Sequence, residues 1–293
     1  MSVDIGRYKV TGRSPIRLDD FNTHETGSFT SNQDIRKAVE KNVLEMAEWQ
    51  SKLYAEGKTG LLIIFQAMDA GGKDSAIKHV MSGVNPQGVD VYSFKQPSVE
   101  ELSHDYMWRS FKALPPRGKI AIFNRSYYED VLVVEVHKLY EQLNVPDRCK
   151  DADTIDKRYK HIRRFEEYLW DNGIITVKFF LHVSKDEQRE RFLSRIKDKD
   201  KNWKFTKSDL DERSFWNDYQ NAYQSAVNAT ATKISPWYIV PADKKWYSRA
   251  VVSQVLLHVL RDIHPQYPRV TQEQRKALSK YKEWLENEPA NKQ

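Results

Sequence analysis

Leu61-Leu62-Ile63-Ile64-Phe65-Gln66-Ala67-Met68-Asp69-Ala70-Gly71-Gly72-Lys73-Asp74-Ser75 decides the fold. Its first five residues are apolar without alternation, the pattern of a strand buried on both faces of a parallel sheet. Gly71 and Gly72 follow at once, and a helix begins near Ser75. Such a turn gathers backbone N–H groups into a nest for a phosphate at a helix N-terminus. Lys73 adds a mobile point charge at the rim. The match to G-x-x-x-x-G-K-[ST] is imperfect: Ala67 stands for the first glycine, and Asp74 holds the hydroxyl position, with Ser75 one place late. Asp69 offers a carboxylate, a hard-cation ligand, where the hydroxyl is missing. A dinucleotide fold wants G-x-G-x-x-G, which this stretch lacks.

Outward from that turn, strands and helices alternate. Further strands are predicted at Val89–Phe94, Lys119–Phe123, Ile174–Val183 and Trp237–Val240. Helices are predicted over 34–54, 98–113, 127–140, 156–169, 184–197, 208–227 and 244–260. This is one α/β domain, residues 34–265, around a five-stranded parallel sheet. Residues 1–33 are polar and irregular and read as an N-terminal arm; 266–293 read as a charged tail with a helix at 272–285.

The chain has 293 residues, enough for a large core without disulfides, and its single cysteine, Cys149, excludes an internal disulfide or a thiolate zinc cluster. No apolar run is long enough to span a membrane and the first ten residues carry no signal core, so no membrane partner is expected and the cytoplasm is the default compartment. The formal charge of +6 suits either an ordinary surface or a basic cleft for a polyanion.

A second constellation closes the third strand: Asn124-Arg125-Ser126-Tyr127-Tyr128-Glu129-Asp130. Strand ends on this side of a parallel sheet face the crevice of the glycine turn. Arg125 is a candidate for bridging phosphates and covering developing charge. Glu129 and Asp130 are candidates for a metal, a ribose or a base amine, or members of a salt-bridge cluster.

The stretches FQAMDAGGKDS, FNRSYYEDVLVVEVH, NWKF and PWYIVPADKKWYSR together resemble the second polyphosphate kinase family, over about residues 35–265. The resemblance implies a three-layer P-loop kinase fold similar to thymidylate kinase, with a helical lid at about 138–170. It implies reversible, magnesium-dependent phosphoryl transfer, with manganese as a substitute, between inorganic polyphosphate and purine nucleoside mono- and diphosphates. It also implies a homodimer or homotetramer. By position, Lys73 resembles the loop lysine on the transferring phosphates, Asp69 the metal-binding loop aspartate, and Arg125 the arginine of the second motif. Many members carry an acid where this chain has Asn124; the variant resembles the subgroup accepting monophosphates as well as diphosphates, with Asp130 as a second metal ligand.

A long polyanion needs a positively lined channel. Besides Ala70, Gly71, Gly72, Asp74 and Ser75 of the turn, the candidate contacts are Lys78, Lys95, Arg109, Arg117, Asn124 and Glu129. Arg191 and Arg195 lie four apart on one helix face and are candidates either for reaching the phosphates or for a solvated surface. Two other functions compete: an ATP-dependent nucleoside monophosphate kinase, which shares fold and loop lysine, and a nucleic-acid binder, for which no motif is present, so no nucleic acid is expected.

Overall fold

The computed structural model describes residues 3–151 and 153–288, so the ends of the expected arm and tail and residue 152 of the expected lid lie outside the described residues. Six strands form one sheet: β1 (Lys9–Val10), β2 (Gly60–Gln66), β3 (Val89–Ser93), β4 (Ile120–Asn124), β5 (Ile174–His182) and β6 (Trp237–Pro241). Their spatial order is β1-β6-β5-β2-β4-β3. The five expected strands are all present and mutually parallel. The expected purely parallel five-stranded sheet needs one correction. The arm adds β1 antiparallel to β6, pairing Lys9 with Tyr238 and Val10 with Trp237, so the sheet is mixed and six-stranded. A two-residue strand carries no periodic signal, which is why the arm read as irregular.

Helices cover both faces. On one side α1 (Asn32–Glu56) packs along α10 (Lys245–Ile263), which also meets α2 (Lys73–Val80). On the other lie α5 (Glu129–Val136), α6 (Thr154–Asp171) and α9 (Trp216–Thr230). The short α3 (Val99–Ser103) and α4 (Trp108–Lys112) follow β3, and α7 (Lys185–Lys197) and α8 (Lys207–Ser214) follow β5. The last helix, α11 (Gln272–Glu286), buries no residue. No helix among the described residues is long and apolar enough to cross a membrane.

β2 is buried along its whole length because both helical layers close on it. α1 starts at a capping box, Ser31 with Asp34, and stops at left-handed Gly57. Two single helices expected from periodicity are each broken. The 98–113 stretch divides where His104 is extended, and the 208–227 stretch divides at Phe215, with α8 capped by Thr206 and Asp209 rather than by Ser208. An apolar stripe continues through such bends because the stripe reports the buried face, not the hydrogen-bond ladder.

Within the stretch expected as a lid, 138–170, the described residues form 3-10 turns at Leu139–Gln142 and Asp147–Cys149 and then α6. α6 buries Ile155, Tyr159, Ile162, Phe165 and Leu169 and packs on β5. It is a layer of the core here.

Candidate active site

β2 and β4 are neighbours in register, with Phe65 beside Asn124. Their C-terminal ends therefore release the glycine turn and the second motif side by side, at the edge where parallel sheets bind ligands. Arg125 N–H donates to Phe65 O at 3.0 Å, fastening one turn to the other.

The glycines are needed for space as much as for flexibility. A Cβ on Gly71 would lie 2.5 Å from the Ala67 Cβ and 2.8 Å from Met68 O. Gly72 has φ +103°, where a side chain is strained, and forms the N-cap of α2. Lys73 turns back and donates to Ala67 O at 2.8 Å. It is buried, and its pKa is lowered to about 8, chiefly by burial and then by Arg125, against the opposing pull of Asp69 and Glu129. Burial leaves little water around this ammonium, which strengthens its field on any anion that reaches it.

Arg125 adopts φ +64°, rare for a residue with a Cβ. Its Nη2 donates to Asp69 Oδ1 at 2.9 Å, and Nη1 lies 3.7 Å from Glu129 Oε2. Those carboxylates, Glu129 first, hold the guanidinium pKa above its ordinary value. Gln66 donates to Glu129 Oε1 at 3.1 Å. Asp69, Arg125 and Glu129 open on a cavity of about 310 Å³. Its far wall is α8 and α9, with Asp209, Glu212, Arg213, Tyr219 and Tyr223. Thr206, Ser208, Asp209, Glu212 and Arg213 thus bring the 206–213 segment to the cavity.

The remaining candidates divide. Asn124 donates to Asp74 at 2.7 Å, and Ser75 accepts from Arg249 at 2.6 Å, so these three tie α2 to its neighbours. Lys78 and Lys95 are exposed. Arg109 is buried over the Phe94 ring and donates to Lys95 O at 2.8 Å. Arg117 precedes β4 at the opposite edge of the sheet and donates to Asn172 O at 3.3 Å; it is not near the glycine turn, because a residue before a parallel strand faces away from the ligand edge. Asp130, expected as a second metal ligand, does not line this cavity. It is turned toward Arg158 at 3.8 Å and Arg109 at 4.0 Å, and burial raises its pKa to about 6. Position 130 follows Glu129 on a helix, so the two point 100° apart and only one reaches the cavity.

Arg191 is not a mobile phosphate-seeking side chain. It is buried and donates to Glu187, to Ala70 O at 2.9 Å, and to Ala242 O and Asp243 O beyond β6. Ala70 itself is left-handed at φ +57°. Arg195, one turn on, lies 3.8 Å from Asp209.

Several contributors carried no motif. Gln188 donates to Asp69 O at 2.9 Å and accepts from Arg213 at 2.7 Å. Tyr219 donates to Glu212 at 2.6 Å, and His137 Nε2 lies 3.0 Å from the same carboxylate, fastening α8 to the body. The available signal was the spacing of Glu187, Gln188 and Arg191 on the first turns of the helix after β5, a face aimed at the glycine turn.

Comparison with known proteins gives the family. The profile of the polyphosphate kinase 2 family matches residues 29–268. The chain is 44% identical to an ADP-polyphosphate phosphotransferase of Rhodopseudomonas palustris, covering 97% of this chain and 94% of that one. It is 43% identical to an AMP/ADP-polyphosphate phosphotransferase of Meiothermus ruber, over 90% of this chain and 95% of that one. The crystal structure of polyphosphate kinase 2 from Arthrobacter aurescens superposes with a TM-score of 0.85 at 37% identity, covering 95% of this chain and 98% of that one. The chain belongs to the polyphosphate kinase 2 family.

Proposed function

We propose that this enzyme moves a phosphoryl group, reversibly, between inorganic polyphosphate and purine nucleotides, taking ADP and GDP to the triphosphates and AMP to ADP. The observation that carries the assignment of roles is the meeting of Asp69, Lys73 and Arg125 at the ends of β2 and β4. The relatives named for ADP and for AMP/ADP support the acceptor range.

Phosphoryl transfer needs alignment and charge neutralisation more than covalent chemistry. Lys73 supplies positive charge to the transferring group from a dry site, where the interaction is strong. Arg125, with its donors in a fixed fork, covers the equatorial oxygens while Asp69 and Glu129 keep it charged and aimed. The cavity holds four acids, Asp69, Glu129, Asp209 and Glu212, against two arginines, Arg125 and Arg213. That balance repels an unshielded polymer and suits a nucleotide whose phosphates arrive with a cation.

Magnesium, or manganese, fits Asp69. Arg125 engages only Oδ1, and no hydrogen bond among the described residues engages Oδ2. No group of three or more His, Cys, Asp or Glu among the described residues is placed to hold a metal ion. Magnesium sites built from one or two carboxylates plus substrate phosphates and water need no such group. Glu129 is the second carboxylate facing the cavity, in place of Asp130. When bound, the ion neutralises phosphate charge.

The test is a donor assay. Purified protein is given polyphosphate and magnesium, without ATP, and separately AMP, ADP, GMP or GDP. Formation of the next higher phosphate is expected with AMP, ADP and GDP, and the GMP arm reads base preference at the monophosphate level. Product only when ATP is supplied as donor would make the chain a nucleoside monophosphate kinase instead.

A further inference from the structure

Arg125 sits in a left-handed backbone conformation that a residue with a Cβ adopts only when its surroundings impose it. The three residues after it, Ser126, Tyr127 and Tyr128, are all 0% exposed. Both tyrosine hydroxyls lie 2.9 Å from one oxygen, Glu166 Oε1 on α6. The other oxygen, Oε2, accepts from Lys178 Nζ of β5 at 2.5 Å, and Lys178 also donates to Thr230 O at 2.9 Å. The Tyr128 hydroxyl is 2.8 Å from Thr230 Oγ1, which accepts from Trp237 Nε1 at 3.0 Å. Helices α6 and α9 and strands β5 and β6 therefore converge on the turn that carries Arg125.

A fully buried carboxylate and ammonium are costly, and apolar groups of the same shape usually hold a core at least as well. Packing alone does not explain them. What a carboxylate supplies and hydrocarbon does not is one fixed acceptor for two hydroxyls at once. Burial and the neighbouring carboxylate push both phenols well above their ordinary pKa, so they remain donors at any working pH.

We propose that Glu166, neutralised by Lys178, is a positioning residue for phosphoryl transfer: its Oε1 anchors Tyr127 and Tyr128 and so fixes the left-handed turn that aims Arg125 at Asp69. This rests on the role given to Arg125 above. Tyr127, Tyr128, Glu166 and Lys178 are not among the residues lining the cavity.

The test is a double-mutant cycle on kcat for polyphosphate-driven phosphorylation of ADP. Tyr127→Phe together with Tyr128→Phe keeps both rings and removes only the hydroxyls. In the wild-type background kcat is expected to fall about tenfold or more while the KM for ADP stays within about twofold. In an Arg125→Ala background the same pair is expected to change kcat less than about twofold, because the group being aimed is gone. Undiminished kcat in the Phe pair, or an equal loss in both backgrounds, overturns the proposal. Should the Phe pair fail to fold, two packing-matched variants decide. Glu166→Gln with Lys178→Met keeps the acceptor and is expected to retain at least about tenfold more kcat than Glu166→Leu with Lys178→Met. Equal kcat in these two overturns the proposal. If Arg125→Ala itself leaves transfer intact, the reading of Arg125 fails first, and that result is distinct from the others.

Discussion

Arg125 and Asp69 are 56 residues apart in sequence and 2.9 Å apart in space. Each comes from a turn just beyond a strand end, and β2 and β4 are paired in register, so the contact follows directly from the sheet. The pair is about one-third exposed, 41% and 31%, so its value to stability is small. In the proposed reaction it would hold a cation and an anion ready where phosphates and magnesium meet.

Asp69→Asn keeps the shape and removes the charge. We expect kcat with polyphosphate and ADP to fall by about 100-fold or more, and the magnesium concentration for half-maximal rate to rise. The unfolding temperature is expected to stay within about 2 °C of wild type. A magnesium titration of initial rates, beside a thermal melt, checks both halves. Retention of more than about a tenth of kcat would remove Asp69 from the metal site.

Lys73 gives a pH dependence of defined sign. Its pKa in the folded protein is about 8, below its ordinary 10.5, because burial disfavours the charged form. The folded state thus binds fewer protons than the unfolded chain between those values, and stability rises as pH rises from about 8 to 10.5. Below about 8 the buried ammonium costs the apoprotein about 3 kcal/mol, which a bound phosphate offsets. Polyphosphate is therefore expected to raise the melting temperature more at pH 7 than at pH 9.5, and its KM to climb above pH 8. Lys73→Met is expected to be inactive yet at least as stable as wild type at pH 7. Thermal melts with and without polymer across this pH range provide the check.

How much of this was legible in the sequence depends on whether a local pattern encoded it. The unbroken apolar run of β2 and the glycines after it announced the sheet and the loop, because burial on both faces and steric room at Gly71 each leave a residue-level mark. The β1 pairing left none, since two residues suffice to make it. Asp130 and Glu129 were indistinguishable as letters; only the helical phase of α5 sends one to the cavity and the other to Arg158. Arg191 read as a free cation because its acceptors, three backbone carbonyls from distant loops, have no side-chain signature.

Asp130 supplies a contrast to Asp69. Burial raises its pKa to about 6, against the pull of Arg158 and Arg109. The folded state binds the extra proton between pH 3.8 and about 6, so stability falls as pH rises through that window. The penalty at neutral pH is about 3 kcal/mol. Asp130→Asn is expected to abolish that part of the pH dependence and to leave the magnesium requirement where it was. Melts at pH 4.5 and 7 and the same magnesium titration test it; a raised magnesium requirement would return Asp130 to the metal site.

Arg191 gives the sharpest structural prediction. One guanidinium, 8% exposed, donates to carbonyls on both sides of the site: Ala70 in the phosphate loop, and Ala242 and Asp243 after β6. It also keeps an ion pair with Glu187 at 2.9 Å. An ammonium is a point charge and cannot span these directions. Arg191→Lys therefore leaves at least one buried carbonyl unpaired and frees the left-handed Ala70 turn. A loss of about 2 to 4 kcal/mol on unfolding in urea is expected, with a kcat loss of at least about tenfold. Arg195→Lys is the control. Its guanidinium is 24% exposed and 3.8 Å from Asp209, its one ion-pair partner among the described residues, so less than about 1 kcal/mol is at stake. Equal effects at the two positions would mean that Arg191 does not brace the loop and that the phosphate turn keeps its shape unaided.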